Sequence, residues 1–310
     1  MSREQVHSPR TSGLAIAGLT ALISGVAVFV NGYGVREWQA VSTPTVYTTV
    51  KNWFAALILL SLLAATSKRR AAKAAGGRSV AGRAWRPLLA IGLIGGSVPF
   101  VLFFEGLARA PSSDAAFIHK TLFIWVAVLA VPILGERVSR LQILALAVLL
   151  GAQFALAGGL PALTWNDGAM MVMAATLLWS IEVIIAKKVL GRLPALTVGA
   201  ARMGLGTLAL STWVVWSGRL GELTAVSPAH WLWAALAGTL LAGYVATWML
   251  ALQRCPAVDV SAVLVAGAVV TAVLDTGLRG LALPPLLGLV MLGVGVLFLV
   301  GAAARPAYQA

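Results

Sequence analysis

Residues 106–114 read Gly-Leu-Ala-Arg-Ala-Pro-Ser-Ser-Asp, and residues 251–259 read Ala-Leu-Gln-Arg-Cys-Pro-Ala-Val-Asp. The shared pattern, x-Leu-x-Arg-x-Pro-x-x-Asp, recurs at an offset of 145 residues. Each copy joins one long apolar run to the next. Arg109 and Arg254 close a run, at the negative end of a helix dipole. Pro111 and Pro256 open the next helix, and Asp114 and Asp259 fall in its first turn, at the positive end. At the same offset Leu134-Gly135 aligns with Arg279-Gly280. Self-similarity at a fixed spacing marks a repeated architecture.

The runs on either side of these motifs set the class. Of 310 residues, 60% are apolar and 11% are charged, too little charge to cover a water-soluble surface. A membrane-crossing helix needs about 20 mostly apolar residues. Ten such runs are expected: 14–35, 43–65, 86–109, 112–134, 141–160, 168–188, 194–217, 229–252, 257–278 and 281–303. The predicted fold is all-α and integral to the membrane, with ten transmembrane helices as two inverted five-helix repeats. Residues 1–13 and 304–310 are cytoplasmic tails. The first repeat is 14–160, with a basic loop at 66–85, and the second is 165–303. An odd number of spans inverts the second copy, so Arg109 and Arg254 face opposite sides of the membrane. The first run has no clear small-residue cleavage site and is read as a span, not a signal peptide.

Basic residues set the orientation. With the N-terminus inside, sixteen Lys and Arg fall in inner segments, four in outer segments and three inside helices. This asymmetry selects N-in and C-in. It also accounts for the net charge of +13 without nucleic acid, for which no motif is present. Trp38, Trp85, Trp165, Trp213, Trp216, Trp231 and Trp233 are expected at span ends, where amphipathic rings prefer the interface. One cysteine, Cys255, allows no internal disulfide, and the three histidines form no metal-binding pattern. No cofactor, no metal and no catalytic residue is expected.

At this point the sequence resembles the drug/metabolite transporter superfamily, specifically its EamA-type ten-helix members. The residues that carry the resemblance run from Gly106 to Ala116, with Leu134-Gly135-Glu136-Arg137-Val138-Ser139 and a weaker second copy from Leu252. Lys51 and Arg202 match the family's basic residue early in the second helix of each repeat. The chain departs from the family where a Thr-Pro pair is common in the fourth helix. It reads His119-Lys120-Thr121-Leu122-Phe123 there, and Arg279-Gly280-Leu281 where the second copy's Gly-Glu-Arg is expected. The resemblance implies an efflux-type carrier of metabolites, amino acids or similar compounds.

Ionisable residues at mid-membrane cost about 2.5–3.5 kcal/mol each on insertion scales and need a partner or a wet cavity. Lys51, Lys120, Glu182 and Arg202 are the four. A substrate cavity is expected around Lys120, His119 and Glu182, walled by Trp125, Trp179, Tyr244 and Trp248, with Lys51, Asn31 and Arg202 as further contacts. Lys120 is the expected contact for a carboxylate, and Glu182 or an aromatic face for an ammonium. His119 and Glu182 are candidate proton sites. The competing reading makes these residues buried ion pairs that fix helix packing. Glu105 with Arg109 and Asp275 with Arg279 are read as local i,i+4 pairs. The expected function is a secondary transporter, exporting carboxylate-bearing metabolites across a bacterial inner membrane. A carrier or flippase of phosphate-bearing compounds is the alternative. A membrane enzyme would need clustered carboxylates or histidines near the interface, and the sequence has none.

Overall fold

A computed structural model describes residues 9–71, 84–156, 165–280, 282 and 285–304. Most of the basic loop 66–85 and of both tails lies outside these residues. Among the described residues every regular element is helical, as a chain in lipid requires, because a helix satisfies its own backbone polar groups. The helices are α1 (Pro9–Gln39), α2 (Pro44–Ala71), α3 (Trp85–Ile94), α4 (Val98–Leu107), α5 (Ser112–Lys120), α6 (Leu122–Leu134) and α7 (Arg140–Leu156). They continue with α8 (Asp167–Leu190), α9 (Ala195–Trp216), α10 (Pro228–Arg254), α11 (Ala257–Val263), α12 (Gly267–Arg279) and α13 (Leu286–Ala304).

Eight stretches are long and apolar enough to cross a membrane: α1, α2, α3 with α4, α5 with α6, α8, α9, α10, and α11 with α12. The expected fifth and tenth runs contain shorter apolar helices, Arg140–Leu156 and Leu286–Ala302. The exterior is oily. Leu208, Leu232, Leu278 and Leu297 are about two-thirds exposed, which suits a lipid environment.

Three expected continuous spans are interrupted. Gly95–Ser97 separates α3 from α4, Thr121 separates α5 from α6, and a 3-10 turn at Leu264–Ala266 separates α11 from α12. The second and third breaks lie at matching places in the 145-residue offset. So do the ends of α6 and α12, each 13 residues long and each closed by a left-handed glycine, Gly135 at φ 67° and Gly280 at φ 66°. Only glycine adopts this conformation without steric cost.

Packing between residues 9–156 and 165–304 comes in exchanged pairs. The first helix of one segment packs on the third of the other: α1 on α10, and α8 on α3 and α4. Likewise α2 meets α10 while α9 meets α3, and α1 meets α12 while α8 meets α6. Helices α7 and α13 pack on each other.

Polar layers brace two ends of the bundle. At one, buried Asp259 accepts from Arg10 Nη2 at 2.7 Å and from Gln142 Nε2, and the Glu136 carboxylate caps α11 through the amides of Ala257 and Val258. Lys187 donates to the Leu252 and Cys255 carbonyls, and the Cys255 thiol to the Arg10 carbonyl at 3.0 Å. At the other, Glu105 binds Arg109 at 3.3 Å, the local pair read from the sequence, and also Arg219 at 3.1 Å and the Thr45 hydroxyl. Asp275 and Arg279 pair at 3.0 Å as expected. Trp85, Trp165, Trp213 and Trp216 have exposed rings. Trp38 corrects the interfacial expectation. It is buried against Tyr47 and His230 and donates to the His230 carbonyl at 2.9 Å, because α10 folds over that end of α1.

Candidate substrate-binding site

The site begins at a missing hydrogen bond. In a continuous helix the Gly95 carbonyl would accept from the amide of residue 99, but Pro99 has none. The carbonyl turns outward and takes two side chains, Trp179 Nε1 at 3.0 Å and Arg202 Nη2 at 2.9 Å. Arg202 also forks onto Glu182, Nε to Oε1 at 2.6 Å and Nη2 to Oε2 at 3.1 Å. Both side chains of this pair are buried, and the bidentate geometry offsets the cost of removing two charges from water. A side chain at Gly95 would collide with the Glu182 carboxylate, so the glycine makes room for the pair.

Beyond the break, α4 presents three phenylalanines to four charged or aromatic neighbours. Phe100 lies 5.5 Å from Trp179, with the Lys51 ammonium 5.6 Å and the Arg202 guanidinium 5.7 Å from its ring centre. Phe103 contacts Trp179 at 5.5 Å and His119 at 4.9 Å, and the Lys51 ammonium sits 4.1 Å over Phe104. These are cation–π distances. The sequence reading missed all three phenylalanines and the short helix that carries them. The signal was present in Gly95-Gly96-Ser97-Val98-Pro99, a run of turn-forming residues within an apolar stretch.

Helix α5 ends at the site. His119 is wedged between Phe103 and Trp179, with its buried Nδ1 lacking a hydrogen bond among the described residues. Lys120, half-buried, follows at the last position of α5 and makes no hydrogen bond or ion pair with any described residue. Thr121 closes the helix by donating to the Ile118 carbonyl at 2.7 Å.

Lys51 enters from α2. Its Nζ is 3.3 Å from Asn31 Oδ1, which also accepts from the Tyr47 hydroxyl at 2.9 Å, while Asn31 Nδ2 donates to the Ala27 carbonyl. On the far side of Arg202, Trp248 lies 5.5 Å from the guanidinium and stacks on Tyr244 at 6.0 Å. Eight of the ten expected site residues are thus linked through α4, Gly95 and Arg202, and Lys120 joins them as the chain neighbour of His119. Trp125 is placed differently. Its indole donates to Thr121 Oγ1 at 3.1 Å, and among the described residues no ring contact joins it to the other aromatics. Of the expected aromatic wall, Trp179, Tyr244 and Trp248 adjoin Arg202, and Phe100, Phe103 and Phe104 add a further aromatic layer around Trp179. Away from this cluster, an apolar groove of about 560 Å³ lies between α2 and α9, lined by Leu60, Leu63, Ala200, Gly204, Leu205 and Leu208 among others. It holds no charged residue, and the candidate residues do not line it.

Comparison with known proteins places this arrangement. A solved structure described only as a crystal structure of a protein shares the fold at a TM-score of 0.75. The match covers 96% of this chain and 100% of that one, at 18% identity. No curated protein matches the chain. The model of the EamA-like transporter family matches twice, over residues 11–157 and 166–301, nearly the whole sequence. The chain belongs to the EamA-like transporter family, and so is a membrane transporter of the drug/metabolite type.

Proposed function

We propose that the protein is a secondary carrier that exports small carboxylate-bearing organic compounds, amino acids or their relatives, from the cytoplasm across a bacterial inner membrane. The observation that carries this reading is Lys120. It is a lysine within an apolar span, at a helix break, next in sequence to the His119 that contacts Trp179, with no anionic partner among the described residues. An ammonium there is costly unless an anion or water joins it, and a passing carboxylate supplies the anion.

The wider architecture supports alternating access. The exchanged packing pairs suit two inverted five-helix repeats, which swap between two equivalent openings. Helices α7 and α13 supply the fifth and tenth spans; a 17-residue helix rises about 25 Å, near the lower limit for crossing. The sixteen-to-four excess of basic residues favours both termini inside. His119 is the candidate proton site, held among rings with an Nδ1 that has no hydrogen bond among the described residues.

The test is uptake by the purified protein in liposomes, comparing carboxylates with the matching amides and amines. Carboxylate-selective uptake that Lys120→Met removes supports the reading. Selective uptake of amines overturns it. A second reading, a carrier of phosphate-bearing compounds, is favoured by Lys51, a second cation with no carboxylate partner. Uptake of a phosphate ester without uptake of its alcohol or of any carboxylate would select it.

A further inference from the structure

Two pairs of side chains occupy corresponding places and differ by one charge. Lys51 is the eighth residue of α2, and Arg202 the eighth residue of α9. Each reaches back twenty residues to the preceding long helix, Lys51 to Asn31 on α1 and Arg202 to Glu182 on α8. The surroundings correspond as well. The carbonyl of Arg202 faces Gly96, and that of Lys51 faces Gly238, so each cation's backbone is packed on a glycine of the opposite segment.

The Arg202 pair is complete. Two bonds to Glu182 and one to the Gly95 carbonyl balance the charge and occupy the fork. The Lys51 pair is not. Lys51 is 4% exposed, and the only hydrogen-bond acceptor of its ammonium among the described residues is the neutral oxygen of Asn31 at 3.3 Å. That oxygen is shared with Tyr47. Phe104, Tyr47 and Phe100 surround the ammonium with ring faces, which stabilise a cation but carry no net charge to neutralise it. A buried charge without a counterion is strongly unfavourable, and the matching position shows that this fold accommodates a carboxylate there.

We infer that the cargo brings the counterion missing from the Asn31–Lys51 pair: Lys51 binds the cargo's anionic group, and Asn31 sets anion specificity by leaving that place unfilled. This rests on the organic-anion carrier reading and adds a second contact to Lys120. The ring faces around Lys51 select an anionic group attached to a flat or apolar body. Placing a carboxylate at residue 31 turns the first pair into a likeness of the second, stabilising the empty carrier while excluding the anion.

The test measures the thermal midpoint of the full-length protein in detergent with phenylacetate, an aromatic monocarboxylate, and with phenylacetamide, its neutral isostere. The wild type is compared with Asn31→Asp, Lys51→Met, Lys51→Arg and Lys120→Met. Ligand binding to the folded state raises the midpoint by mass action. The expected result has four parts. Phenylacetate and not phenylacetamide raises the wild-type midpoint. Asn31→Asp raises the midpoint without ligand and abolishes the response. Lys51→Met abolishes the response, and Lys51→Arg, which keeps the charge, retains it. A phenylacetate response unchanged in Asn31→Asp and Lys51→Met, whether or not Lys120→Met removes it, overturns the inference. Loss in Lys120→Met alone leaves the carrier reading standing. A ligand-free midpoint lowered by Asn31→Asp, or no wild-type response to phenylacetate, also overturns it. Liposome uptake tests the carrier reading separately.

Discussion

Trp179 and Arg202 donate to one carbonyl, that of Gly95, from two helices that flank the break between α3 and α4. The break, the aromatic layer and the buried ion pair are therefore one unit. Pro99 frees the carbonyl, and Gly95 leaves space for the Glu182 carboxylate.

Gly95→Ala is expected to be among the most damaging single-methyl changes in the protein. The added Cβ enters the space of the Glu182 carboxylate and separates it from Arg202. Breaking a buried pair costs about 3–5 kcal/mol. Thermal denaturation in detergent should show Gly95→Ala and Glu182→Gln destabilised alike. Arg202→Lys should not rescue, because an ammonium cannot fork onto Glu182 and also reach the Gly95 carbonyl. A Gly95→Ala protein with the wild-type midpoint would show that the pair has room to move.

Cys255 reports on the end braced by Asp259. Its thiol lies under the Arg10 carbonyl, and burial, reinforced by the Asp259 carboxylate, pushes it up to about 11. At pH 7.5 the thiol is protonated and covered, so alkylation by a maleimide should be slow. The rate should rise with pH as the thiolate forms. Gln142→Leu removes one of the bonds that hold Asp259 without removing a charge, so faster labelling there reports loosening of this end. Asp259→Asn should accelerate labelling further, because it also removes the charge that disfavours the thiolate. Equal rates in all three proteins would mean that these bonds do not hold the end closed.

Gly135 and Gly280 end α6 and α12 in the same left-handed conformation. Alanine at either should cost about 1 kcal/mol, since a Cβ disfavours positive φ and no atom of the described residues lies near enough to clash. Thermal midpoints should fall by similar small amounts for the two variants. A loss at only one would mean that the two caps bear unequal loads.

The sequence showed more of the frame than of its interruptions. The Arg-x-Pro-x-x-Asp motif located α5 and α11 at the same offset that later aligns the breaks and the glycine caps. Deep charge singled out Lys51, Lys120, Glu182 and Arg202, because an ion in an apolar run is conspicuous. The breaks at Thr121 and Leu264–Ala266 were not legible, because every face of a membrane helix is apolar and a change of helix type leaves the pattern intact. Phe100, Phe103 and Phe104 sit within an apolar run where no side chain stands out, and only the turn residues Gly95–Pro99 mark the helix that carries them. The Asp259 network was hidden by distance. Asp259 sits in a first helical turn as read, but Arg10 is 249 residues away and Gln142 is 117. Trp38 lies at the end of α1 as read, but its ring faces protein and not the interface, because α10, distant in sequence, covers it.

The most direct test of the carrier reading is counterflow in liposomes preloaded with an unlabelled aromatic or aliphatic carboxylate, following entry of the same labelled compound. The account predicts entry of carboxylates and exclusion of the matching amides. It also predicts that Lys120→Met lowers the initial rate by about tenfold or more, the loss expected for one charge-assisted contact of about 1.5–3 kcal/mol. Carboxylate entry at an undiminished rate in Lys120→Met, or entry restricted to amines, would contradict it.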